Sequence, residues 1–122
     1  MIPAKHNLNW YQGATNSFRV QLKNKASGEP YNLTDVVDIR MQLRSAPAVK
    51  TNSVVYLTLS KTGTGIEVVN AAQGIISVKS LPTDLLEATW TEANYDLDVV
   101  WDETTTLPYL TGVVKLTPDY TR

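Results

Sequence analysis

An apolar–polar alternation with a period of two constrains this sequence more than any other feature. In "VDIRMQLR", Val37, Ile39, Met41 and Leu43 alternate with Asp38, Arg40, Gln42 and Arg44. The same period runs through Phe18, Val20 and Leu22, through Val55, Leu57 and Leu59, and through Tyr95, Leu97, Val99 and Trp101. Successive side chains on a strand point to opposite faces, so each segment has one apolar face and one wet face. That pattern belongs to antiparallel sheets covered on one side only. Weaker strand candidates cover 65–70 and 74–80, joined through "NAAQG", and a last strand covers about 109–117. Seven or eight short strands separated by turn signals predict a β-sandwich or a partly closed barrel.

The stretch 27-SGEPYNLTD-35 fits this scheme as a hairpin return. Pairing Leu22 with Tyr31 and Val20 with Leu33 leaves "KASG" as the connection. Gly28 then supplies the positive φ that closes such loops. Pro30 has no N–H to give a ladder, so the return strand is short and lies at an edge. Leu33 becomes its inward plug, and Thr34-Asp35 turns the chain into the strand that starts at Val36. A similar pairing of the last two strands sets Trp101 against Leu110, Val99 against Gly112, Leu97 against Val114 and Tyr95 against Leu116. It places Asp96 opposite Lys115 on the outer face, a favourable cross-strand pair.

Only "LPTDLLEAT" breaks the strand period. Pro82 suits a first helical turn, and Leu85 with Leu86 would pin that turn to the core. Residues 1–15 show no periodicity and are expected to form an arm outside a single sandwich domain spanning 16–122.

A chain of 122 residues makes one domain, burying roughly two-thirds of its surface on folding. Its net charge of −1 gives no general attraction to nucleic acid or to an anionic membrane. With no cysteine, disulfides and thiolate zinc sites are out of reach. The start "MIPAKHNLNW" lacks an apolar signal core, and no run approaches the length of a membrane-spanning helix. Met1 makes the sequence read as a whole small gene product made in a cytoplasm.

Catalytic chemistry has thin material. His6 is the sole histidine and would have to be recruited from the unpatterned N-terminal segment. Asp96 and Asp98 share one strand face about 6.6 Å apart, which touches the spacing of an inverting glycosidase pair. The parity of Leu97, Val99 and Trp101 sends both outward, however, so a solvated face is expected. Asp96, Asp98 and Asp102 lack the dense carboxylate-and-glycine loop of a calcium site. Gly63-Thr64-Gly65 has no Gly-Lys-Ser/Thr after it and reads as a turn. No catalytic, cofactor or metal residues are assigned. Trp101 is inward by parity. Trp10, Tyr11 and Trp90 lie outside clear strands, where they would serve as interface anchors, as a sugar-stacking platform, or as lids on the sandwich's own core.

The order of elements carries a resemblance. "SFRVQLKNKASGEPYNLTD" is followed by "VVDIRMQL", "GIEVVNAAQGIISVKSLPTDLLEA" and "YDLDVVWDETTTLPYLTGVVKLTPDYTR". Over residues 16–122 this resembles the small N-terminal β-sandwich of upper baseplate proteins of tailed phages and related tail and fibre-attachment domains. The resemblance implies an immunoglobulin-like sandwich in the virion, acting without enzymatic chemistry or cofactor through assembly with copies of itself and other virion structural proteins. A head-decoration role is a variant of that expectation. A carbohydrate-binding or host-adhesion module that meets a host glycan is the main alternative.

Overall fold

The two longest alternating segments lie side by side in the middle of the larger of two sheets. The computed structural model describes residues 4–24, 26–45 and 53–118. Among them are nine strands: β1 (Ala4–Lys5), β2 (Leu8–Tyr11), β3 (Asn16–Gln21), β4 (Asp38–Arg44), β5 (Val55–Ser60), β6 (Ile66–Asn70), β7 (Ile75–Ser80), β8 (Glu92–Val100) and β9 (Thr106–Thr117). One 3₁₀ turn, Pro82–Leu85, interrupts them. The larger sheet runs β9-β8-β4-β5, with β1 and β2 both along the outer edge of β9. The smaller is β3-β7-β6.

Alternation does what the residue pattern requires. Ile39, Met41 and Leu43 on β4, and Leu97 and Val99 on β8, have no accessible surface. They meet Ile76 and Val78 of β7, equally buried, across the sandwich. Each such aliphatic side chain withdrawn from water stabilises the fold by about 1.5–3 kcal/mol. Edge strand β5 buries only Leu59 fully, leaving Val55 43% exposed, because an edge strand has sheet on one side alone. The strand expected from Val36 begins at Asp38; Val36 is buried and Val37 turns outward.

The hairpin return keeps the expected register for one bridge only. Lys23 pairs with Pro30, and the Tyr31 N–H donates to the Leu22 carbonyl at 2.9 Å. Gly28 has φ 75°; Lys25 of that loop lies outside the described residues. Leu33 is the buried plug, but it does not face Val20. Its N–H donates to the Ala71 carbonyl at 2.8 Å, and Val20 pairs with Ile76. In the 3₁₀ turn Leu85 is buried and Leu86 is exposed, so one leucine pins it rather than two. Asp84 closes that turn by accepting the Leu81 N–H at 2.8 Å.

The β8–β9 register differs from the expected pairing. Leu97 meets Leu110, Tyr95 meets Gly112 and Ala93 meets Val114. Each partner on β9 lies four residues earlier in the sequence than expected. The connection is tighter than the expected one. The Trp101 N–H reaches the Thr105 carbonyl at 2.8 Å, and the Asp102 carboxylate accepts from the Thr104 N–H at 2.8 Å. A bulge then follows between Leu97 and Asp98, where Pro108 offers no N–H to the ladder. It leaves Tyr109 and Leu110, adjacent in sequence, both buried. Lys115 therefore stands opposite Glu92, and Asp96 opposite Thr111.

The N-terminal segment is not an arm outside the sandwich. β1 and β2 run parallel to β9, with Ala4 beside Leu110 and Leu8 beside Val114. Leu8 and Trp10 are buried in the core. The sequence "LNWY" does alternate, but over too few residues to declare itself. Between the two short strands, the His6 carbonyl approaches Gly112 so closely that a Cβ there would collide with it. The Tyr95 hydroxyl donates to the same carbonyl, and the Asn7 side chain accepts the Val113 N–H at 3.1 Å. Residues 1–3 and 119–122 lie outside the described residues.

Candidate functional site

The open edge of the larger sheet has an unusual composition. β5 reads VYLTLS and carries no charged residue. Natural edge strands are commonly blunted by lysine, proline or an inward charge, since their unpaired N–H and C=O groups invite another strand. Here Val54, Val55 and Tyr56 are consecutive and exposed at 57%, 43% and 37%.

One end of this edge opens into a groove of about 430 Å³ lined by Val55, Tyr56, Thr83, Asp84, Leu85, Glu87, Ala88, Thr89 and Trp90. Trp90 lies in the link from the 3₁₀ turn to β8. Its ring stacks on Tyr56 with centroids 5.1 Å apart and planes 6° from parallel. The far wall is held from below, where Leu85 plugs the core and the Gln12 amide Nε2 lies 2.9 Å from the Leu85 carbonyl and 3.1 Å from that of Ala88. Asn16 anchors the start of this brace. Its side chain bonds both the N–H and the carbonyl of Tyr11, at 3.0 and 3.1 Å, and the buried Ser80 hydroxyl at 3.2 Å.

The aromatic candidates separate. Trp10 is 3% exposed, which removes it as an interface residue of the folded chain and makes it a lid on its own core. Tyr11 is exposed at the end of β2. Trp90 reaches the groove, where its partner is Tyr56, a residue that the alternating pattern marked only as a wet position. The run Val54-Val55-Tyr56-Leu57 was the available signal, because an edge strand with apolar residues on both faces is not simply half-wet. Trp101 is half-buried and packs its ring 5.7 Å from Tyr31, which meets Tyr109 edge-on at 5.0 Å.

The carboxylates sit elsewhere, on the outer face of the larger sheet. Asp98 faces Arg40, and Asp96 faces Gln42. Neither is freely solvated. Burial, then the neighbouring Asp96 charge, pushes the Asp98 carboxyl up to about 6, with Arg40 opposing. Burial raises Asp96 too, against the pull of Arg44. The pair lies on a sheet face and does not line the groove. His6 contributes its backbone to the β9 edge, and its ring lies 6.3 Å from Phe18. Among the described residues no group of three or more His, Cys, Asp and Glu side chains is placed to hold a metal.

No protein-family model matches the chain, and no curated protein matches it. Among solved structures, a chicken TCR crystal structure is similar with a TM-score of 0.51 at 11% identity. The match covers 99% of this chain and 57% of that one. At such identity the likeness speaks for the fold alone, and the fold is an immunoglobulin-like β-sandwich.

Proposed function

We propose that this chain is a non-enzymatic assembly module, of the tail, baseplate or fibre-attachment class that its order of elements resembles, and that it joins copies of itself and other virion proteins. The observation that carries the reading is the uncharged β5 edge with Val54, Val55 and Tyr56 exposed. Pairing such an edge with a neighbour's strand satisfies its free backbone groups and covers the three apolar side chains together. Repeated weak contacts of this kind gain avidity in a symmetric particle.

Charging the edge tests it. Val54→Lys with Thr58→Lys places one cation just before β5 and one on it, both at exposed positions outside the groove. Light scattering across a concentration series should show the wild-type chain self-associating and the double variant monomeric, with melting temperatures that agree. A wild-type chain that stays monomeric at about 1 mM, where even weak pairing registers, would count decisively against the proposal.

A further inference from the structure

We propose that the groove between β5 and the 83–90 segment is a binding site for a neutral oligosaccharide, open on a copy whose β5 edge is unpaired, since edge pairing would cover Val55 and Tyr56 of its lining. Three features of the groove converge on that ligand class. Its volume, about 430 Å³, falls within the roughly 300–1,000 Å³ of small-molecule sites. One wall carries the parallel Tyr56–Trp90 stack, and the apolar C–H face of a pyranose packs on the outer face of that pair rather than across both rings. The remaining lining mixes short hydroxyls, Thr83 and Thr89, with the carboxylates of Asp84 and Glu87. These are hydrogen-bond partners for sugar hydroxyl groups, which both donate and accept.

Charge narrows the class further. Among the described residues no lysine, arginine or histidine lines the groove, so sialylated, sulfated or phosphorylated glycans would bring negative charge against the two carboxylates there. A lysine or arginine side chain from a peptide would suit the acids and the rings, but a single such side chain leaves most of the groove unfilled. The site is held in shape by contacts beneath it, Leu85 in the core and Gln12 against the turn's carbonyls, so little ordering is required on binding.

The test places the full chain on an array of neutral, sialylated and sulfated glycans, with titration of any selected neutral oligosaccharide followed by tryptophan fluorescence. An oligolysine peptide serves as the competing probe. Selective binding of neutral glycans should weaken about tenfold or more in Tyr56→Ala. Tyr56 is exposed enough for the fold to survive this change, and Thr89→Ala supplies a second, milder loss. At protein concentrations where the wild type is monomeric, the Val54→Lys, Thr58→Lys variant should bind as the wild type does, because neither residue lines the groove. The proposal fails if the wild type binds no neutral glycan up to about 1 mM, or if it prefers acidic glycans. It fails also if oligolysine proves the ligand lost in Tyr56→Ala, or if the folded groove variants bind unchanged.

Discussion

At the scale of single residues, the two faces of β8 make opposite predictions. Leu97 is fully buried between the sheets, so Leu97→Ala should cost about 2–5 kcal/mol in denaturant unfolding, the transfer loss plus the cavity left behind. Asp98, on the other face, is held at a cost. A carboxyl whose folded pKa lies above its unfolded value binds its proton more tightly when folded. Its contribution is therefore most favourable below the unfolded value of about 4 and is lost as pH rises through about 6, the folded value. Asp96 is shifted the same way, with Arg44 pulling against it as Arg40 pulls against Asp98. Asp98→Asn should raise stability at neutral pH by on the order of 1 kcal/mol, discounted for partial solvent screening, and the gain should vanish near pH 4. Chemical unfolding of both proteins at several pH values checks this; a variant that is less stable at neutral pH would mean that Arg40 outweighs burial.

At the scale of an element, the attachment of β1 and β2 depends on one missing side chain and one hydroxyl. Gly112→Ala pushes a methyl group into the His6 carbonyl and should cost about 1–3 kcal/mol, as overpacking does. Tyr95→Phe removes the donor to the same carbonyl and should cost about 1 kcal/mol. The distinguishing readout is hydrogen exchange. In both variants the His6 amide, which donates to Thr111 at 2.8 Å, should lose protection well before the β4 and β8 amides do. Equal loss across all strands would show that β1–β2 and the core open as one unit.

For the whole molecule, the buried Trp10 changes what removal of the N-terminus does. With Trp10 and Leu8 in the core and β9 left with an open edge, deletion of residues 1–12 should lower the melting temperature by about 10 °C or more. The same deletion also removes Gln12 from the 3₁₀ turn, so the groove should loosen while the β5 edge persists. A calorimetric melt that is unchanged after the deletion would return the segment to the role of a detachable arm.

What the sequence determined by itself was the fold class and the face of each central strand. Period-two alternation in "VDIRMQLR" and "YDLDVV" is a local consequence of strand geometry, readable without any partner. The hairpin register at Leu22–Tyr31 was legible for the same reason, since a loop closed by Gly28 links residues close in the chain. Tertiary structure alone decided the rest. The β8–β9 register keeps its apolar parity under any even shift, so the pattern is blind to it, and the Asp102 turn with the Pro108 bulge made the choice. The parallel docking of "LNWY" on β9 joins residues about a hundred positions apart, and no turn announces it. Trp90 met Tyr56 only because the 3₁₀ turn returns the chain beside an edge strand, and that meeting depends on how the two sheets close rather than on either segment's own pattern.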